Sequence, residues 1–399
     1  MKVAVVGGGL AGLAAALDLV DAGADVSVHE ARPTLGGAVQ TLPERDDDPK
    51  PPPDNGQHIA LGCFTEYLRF LDRVGEGKSY LRKRLALPVI DERSHVSSIA
   101  PLTLLRYAHI PVRDRLRLPL TLMRLRAAQS QPKETFGDIL RRLGETEVAI
   151  DRFWDVFIRP ALNLSTNEVD GYAGLFTVRT ALLGPRANSD LVLPLKPLGW
   201  MHGDAAGRVL GDRVRLDERV ESLDQLDADA IVVAVPPAES ARLLGEPDPQ
   251  LESSPIVSVH LLFDRPLLRT PIAALLSSDA HWVFDRGALT SHQPEGGGQY
   301  LTVVSSGVPE LMDVRGRELV ERIAGQLTER LGDAELVWSR VSREPNATIA
   351  LRPGTVRPGV QTGRPNVARA GTWTDTGWPA TMESAVRSGR AAARYLLAR

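Results

Sequence analysis

The N-terminal stretch "KVAVVGGGLAGLAAALDLVDAGA" constrains this chain more than any other. An unbroken apolar run reads as a strand buried on both faces, a glycine turn follows, and the next apolar residues recur at helical spacing until Gly23 closes the helix. Gly7, Gly9 and Gly12 form a G-x-G-x-x-G across that turn. The first permits the tight turn, the second lets a pyrophosphate approach the backbone, and the third lets helix and strand pack closely. Leu10 and Ala11 open the helix, whose free N–H groups and partial positive charge meet phosphate. A second strand, "DVSVHE", ends on Glu30, a carboxylate able to accept hydrogen bonds from a ribose diol and to repel a 2′-phosphate. The pattern predicts a dinucleotide site in a βαβ unit and leaves NAD and FAD both open.

A chain of 399 residues with 43% apolar content is long enough for two or more packed lobes. Its 47 basic against 50 acidic residues give no reason to expect nucleic acid as a partner. A single cysteine, Cys63, excludes an internal disulfide and a cysteine-based metal cluster, so no metal is expected, and the thiol reads as a small buried hydrophobe. The first twenty residues lack the basic cluster of a secretion signal, and no apolar run reaches the roughly 18 residues of a membrane span. The expectation is a cytoplasmic protein, or one peripheral on the cytoplasmic membrane face.

Further along, "PERDDDPKPPPDNG" (43–56) is acidic and Pro-rich and predicts a surface loop. The pattern from Leu68 to Val178 is mostly helical; short strands return in "RVRLDERVESL", "DADAIVVAVPP", "PIVSVHLLF", "HWVFD" and "QYLTVVSS", and "RELVERIAGQLTERL" is an amphipathic helix. Near the C-terminus "GTWTDTGWPATMESAVRSGRAA" reads as a turn carrying an acid, then a proline, then the start of a helix that buries Met382, Ala385, Val386, Gly389 and Ala393.

Gly7, Gly9, Gly12, Glu30 and the pair Gly36-Gly37, taken with Gly371, Asp375 and the run from Pro379 to Glu383, resemble the flavin amine oxidase and carotenoid desaturase superfamily. The resemblance implies FAD held at Gly7, Gly9, Leu10, Ala11, Gly12, Glu30, Ala31, Arg32, Gly36, Gly37, Ala38, Val220, Gly371, Asp375, Ala380, Thr381 and Met382. The helix starting near Thr381 would then aim its N–H groups at the flavin edge that is negative when reduced. Ala38 stands where the superfamily often carries Arg, and 46–53 reads as an insertion.

"DNGQHIALGCFTEYLRFLDRVG", "FWDVFIRPALNLST", "HWVFDR" and the C-terminal segment are similar to the hydroxysqualene dehydroxylases, over essentially the whole chain. That narrower resemblance implies removal of the allylic hydroxyl of an isoprenoid lipid, hydroxysqualene, to give squalene. Such a reaction needs a proton donor and a wall that tolerates an allylic cation. His58 and Asp155 (with Asp151 nearby) are the donors considered, Trp154 belongs to the catalytic wall, and Asn163, Trp282, Phe284 and Trp378 are the expected substrate contacts. Three other readings stay open: another amine, porphyrinogen or carotenoid oxidase, a non-catalytic isoprenoid-binding partner, and a pyridine-nucleotide dehydrogenase.

The expected architecture is an α/β fold with a Rossmann-type FAD-binding domain (1–75, 190–245 and 350–399) and an inserted substrate domain of mixed sheet and helices (76–189 and 246–349). Residues 104–128 mix apolar side chains with six arginines, which fits contact with anionic membrane lipid, and Pro111 and Pro119 predict two short segments there. Association with other squalene-forming enzymes is a further expectation; oligomeric state is not legible.

Overall fold

The computed structural model describes residues 1–101 and 103–398. Three sheets organise it, and the first is wholly parallel. Strands β1 (Lys2–Val6), β2 (Asp25–His29), β8 (Val214–Arg215), β9 (Ala230–Val233) and β15 (Val367–Arg369) lie in the order β15-β9-β1-β2-β8. Central strand β1 is buried from Val3 to Val6, which is why it reads as an unbroken apolar run rather than an alternating one. Helix α1 (Leu10–Asp21) follows it, and the C-terminal helix (Met382–Leu397) lies against α1. Gly389 sets their separation: a Cβ at that position would stand 2.0 Å from the Ala11 carbonyl oxygen.

Strands β3 (Ala60–Leu61), β4 (Tyr80–Lys83) and β7 (Leu191–Pro194) make a small antiparallel sheet in the order β3-β7-β4. The largest sheet has seven strands. These are β5 (Leu87–Ile90), β6 (Val96–Ile99), β10 (Ser253–Phe263), β11 (Ile272–Leu275), β12 (Trp282–Asp285), β13 (Gln299–Ser306) and β14 (Leu336–Ile349), ordered β14-β10-β13-β12-β11-β5-β6. Its outer face carries Val257, Val259, Leu261, Leu301 and Val303, packed under Leu319, Ile323 and Leu327 of the helix Gly316–Leu331. The inner face looks toward a helical layer that includes α3 (Val112–Leu125), α4 (Phe136–Arg142) and the helices Asp155–Leu162 and Gly171–Ala181, whereas α2 (Thr65–Arg73) packs with the parallel sheet and the last helix.

Three expectations are corrected. The Pro-rich loop is a surface loop only in its first part: Pro43 to Asp47 are exposed, but Asp48 and Pro51 to Gln57 are buried, because Arg340 binds Asp48 at 2.5 Å and Arg286 binds Asp54 at 2.6 Å. The stretch after Leu68 is interrupted by β4, β5 and β6, short strands whose pairing is tertiary. Helix α3 runs through Pro119 as one element, the proline standing on its exposed side.

Asp54 joins the layers. Its Oδ1 accepts from Thr41 Oγ1 (2.8 Å) and from Leu198 N (2.9 Å), while Oδ2 accepts from Arg286 Nη1. Arg286 also donates to the Pro52 carbonyl at 2.6 Å, and both side chains are no more than 2% exposed. Removing one member strands a buried charge, so Arg286→Met is expected to lower stability by about 3–5 kcal/mol. The Asp54→Asn/Arg286→Met double variant should recover part of that loss, read as urea midpoints of the two proteins.

Candidate active site

The first turn of α1 has Gly9 as its N-cap, no side-chain cap and no acidic residue. Its N–H groups are therefore open to an anion. A Cβ on Gly12 would fall 1.9 Å from the Gly7 carbonyl oxygen, so only glycine lets the helix start this close to the strand. A second backbone passes alongside: Gly36 N donates to the Gly8 carbonyl at 2.8 Å, and a Cβ on Gly37 would come within 2.9 Å of the Gly9 Cα. Glu30 closes the cradle, accepting from Gly8 N at 2.7 Å and Arg32 N at 2.9 Å and keeping further lone pairs free. Ala31, Arg32 and Ala38 are exposed along its rim, whereas Val220 is buried with Ala4, Val6, Ile231 and Val233. These groups fit a dinucleotide pyrophosphate with a ribose at Glu30.

The C-terminal segment reaches the same region. Gly371 N donates to Ser388 Oγ at 2.9 Å, and Thr381 caps the last helix by accepting from Ser384 N. Met382 is buried and Ala380 packs against the apolar cluster beneath the large sheet. The acid in this helix's first turn, Glu383, is turned away: its carboxylate accepts from the N–H groups of Glu66 and Tyr67 at the start of α2 and pairs with Arg387 at 2.7 Å. Burial pushes its pKa up. Asp375 is exposed, accepts from Gly377 N at 3.0 Å, and borders a cavity of about 190 Å³ shared with Thr376, Arg387, Arg390 and Arg394.

The inner face of the large sheet divides into two halves. Cross-strand register places Val304 beside Trp282, Phe284 beside Ile272, and Ala274 beside Val89, an apolar surface continuous with Leu191, Leu193 and Ile59. Toward β14 the same face turns polar: Ser258 pairs with Ser342, His260 with Arg340 and with Thr302. The Oγ of Ser258, Nε2 of His260, the Tyr300 hydroxyl and Oδ1 of Asn55 are buried there without a partner among the described residues. This polar half escaped the sequence reading, although Ser258 and His260 two apart in an apolar strand are a period-two signal.

Trp282 and Phe284 stack at 6.3 Å on the apolar half, where a substrate wall was expected. Trp378 lies in the turn before the last helix, edge-on to Phe64 and Phe176, with the Arg387 guanidinium 4.7 Å from its ring centre. Trp154 does not line open space: it is fully buried, edge-to-face with Phe136 and Phe153 in the helical layer. Asp155 is a brace rather than a proton donor, since its oxygens accept from Arg159 Nε (2.7 Å), Thr166 N (2.6 Å) and Thr166 Oγ1 (2.9 Å). Asn163, in the left-handed region, directs its amide to the Ser254 carbonyl at 2.9 Å and so ties the helical layer to β10.

His58 is partly buried, with Nδ1 3.2 Å from the carbonyl of Gly56, the residue whose Cα faces Ser258 of the polar half. Burial holds its pKa below the ordinary 6.5. The same cause takes His202 and His281 down to about 4, and burial beside Arg286 and Arg340 takes His260 to about 3. The imidazoles near the site are thus neutral at pH 7. Burial pushes the Cys63 thiol up to about 11, which removes it as a nucleophile.

The family model described as flavin containing amine oxidoreductase matches residues 10–397. The chain is 29% identical to the hydroxysqualene dehydroxylase of Rhodopseudomonas palustris, covering 99% of this chain and 98% of that one. It is 25% identical to a zeta-carotene desaturase of Zea mays, over 99% and 83% of the two chains. An oxidoreductase structure from Methanosarcina mazei superposes with a TM-score of 0.77 at 16% identity, covering 99% and 100%.

Two outcomes are expected. Gly12→Val and Glu30→Lys each cost the purified protein most of its flavin absorbance, and unchanged flavin content would refute the cradle. Cys63, with only about a thousandth of its thiol ionised at pH 8, labels with a disulfide reagent at the rate of unfolding rather than of thiolate formation.

Proposed function

The chain belongs to the flavin containing amine oxidoreductase family, and on that premise we propose that this FAD-dependent oxidoreductase reductively removes the allylic hydroxyl of hydroxysqualene to give squalene, in triterpenoid synthesis. The observation that carries the reading is end-to-end similarity to a hydroxysqualene dehydroxylase, 98% of whose length is matched. The paired apolar half-face under Trp282 and Phe284 supports it, because a C30 hydrocarbon needs a long dry wall.

In this reading the discontinuous segments 1–75, 190–245 and 350–399 hold FAD, and the rest holds substrate. When bound, FAD supplies hydride transfer. The first turn of α1 holds the pyrophosphate, and Glu30 orients the ribose. The N-terminus of the last helix, its own acid turned aside, would offer N–H groups and partial positive charge to a flavin that is negative on reduction. The apolar half excludes water, so an allylic cation left on the substrate is not captured by it, and the faces of Trp282 and Phe284 tolerate that charge.

Overall, the carbon–oxygen bond breaks, a proton leaves with the hydroxyl as water, and hydride replaces it. We assign the proton to His58 Nε2, since Nδ1 is engaged by the Gly56 carbonyl. An acid with a lowered pKa donates only where it is protonated, so turnover should rise with falling pH, its midpoint lying on the acid side of an ordinary histidine's. His58→Gln should retain flavin, lose about 100-fold or more in kcat, and lose that pH limb.

A second reading rests on the similarity to a zeta-carotene desaturase: the same apolar half would take a polyene, and the chain would abstract hydrogen rather than donate it. Anaerobic incubation with chemically reduced FAD and hydroxysqualene decides. Squalene in the extract supports the first reading. A yellow protein that leaves hydroxysqualene untouched but desaturates a carotene with a quinone acceptor would replace it with the second.

A further inference from the structure

Helix α3 carries its apolar side chains on the wrong side for a soluble protein. Val112, Leu116, Leu120 and Met123 are 63%, 66%, 45% and 67% exposed. At about 100° per residue they fall within an arc of roughly 80°. Directly opposite are Asp114, Leu118, Thr121 and Leu125, all buried against the helical layer. The helix is therefore fully anchored by one face and offers a second apolar face to solvent. Leu105, 53% exposed, lies on the short 3-10 turn that packs beside it.

The flanks of that stripe are basic. Arg113, Arg117 and Arg124 line one side, and Arg115 and Arg126 the other. Arg115 donates to the carbonyls of Ile110 and Ala108, Arg117 to that of Gly144, and Arg124 to that of Leu143, so these hydrogen bonds do not neutralise their charge, and of the three Arg117 also feels a carboxylate, that of Glu145. The single acid of α3, Asp114, is buried and stands 3.6 Å from Arg113 alone. An apolar ridge between two rows of arginine matches the order of groups met on entering an anionic bilayer surface, with acyl chains flanked by phosphates. At 14 residues the helix is too short to span, and no helix of the described residues is long and apolar enough to cross a membrane.

We infer that α3 docks this protein flat onto an anionic lipid surface, its apolar stripe in the acyl boundary and its arginines at the headgroups. The inner face of the same helix, through Leu118 and Leu125, belongs to the apolar cluster that contains Trp282 and Phe284. The docking helix and the apolar half of the site thus share one apolar cluster. The inference stands on exposure and charge alone and is independent of which apolar substrate the site takes.

The test is sedimentation of the purified holoprotein with vesicles of phosphatidylcholine alone and of equal parts phosphatidylcholine and phosphatidylglycerol. Binding should favour the anionic vesicles at least tenfold and weaken with salt. Leu116→Glu/Met123→Glu should lower it tenfold or more. Arg113→Gln/Arg117→Gln/Arg124→Gln should lower it by about fivefold per arginine on anionic vesicles, with little change on neutral ones. All substituted residues are exposed, and retained flavin absorbance reports that each variant is folded. Equal sedimentation of wild type and both variants overturns the inference. So does a wild-type dimer that Leu116→Glu/Met123→Glu converts to monomer without altering vesicle binding, which would assign the stripe to a second copy of this chain.

Discussion

The buried pair of Asp54 and Arg286 holds two sheets in one geometry. Two charges removed from water are costly unless every lone pair and proton finds a partner. Asp54 has three donors, and Arg286 reaches Asp54, Gln57 and the Pro52 carbonyl, which leaves only its Nε buried without a partner among the described residues. Because these bonds come from Thr41, Leu198 and the short helix after β12, the loop from 41 to 58 can lie in only one place. It sits between the parallel sheet with its glycine cradle and the polar half of the large sheet. The position of His58 follows from that constraint, as does the contact between Gly56 and Ser258, where a Cβ would lie 3.1 Å from the serine oxygen.

A second constraint is the crossing of α1 by the last helix. Gly389 against the Ala11 carbonyl packs together two helices that begin at Leu10 and Met382, at opposite ends of the chain. Each is arranged to favour an anion, but by different means. The first has no acid in its opening turn; the second has Glu383, whose charge is drawn to α2 and Arg387 instead. Positive potential thus remains available at both ends.

The large sheet's inner face is partitioned into a polar and an apolar half by side-chain alternation. Strands alternate sides, so a few polar residues at alternate positions of β10, β13 and β14 suffice to make one half hydrophilic while Val257, Val259, Leu261, Leu301 and Val303 on the outer face stay in an apolar cluster. Histidines placed in that setting stay neutral, since burial and neighbouring guanidinium groups both oppose a further positive charge.

Local chemistry is what the sequence by itself determined. The turn at Gly7, the helix start at Leu10, the acid at Glu30 and the cap at Thr381 are dictated by residues within a few positions of one another, and the α/β class with its flavin family was legible from them. Contacts between distant segments were not. Trp154 and Asp155 carry the residue types of a catalytic wall and donor, yet packing by Phe136 and bonds from Thr166 gave them structural parts. The Pro-rich loop has the composition of a surface segment and is one from Pro43 to Asp47, but Arg286 and Arg340, far along the chain, draw Asp48 and Asp54 inside. The arginines of 104–128 were visible as a pattern, but which face of the helix they flank depended on which face the core claimed. Burial is decided by the whole assembly, since a residue is inside only when other elements cover it, and that covering is the part that tertiary structure alone decided.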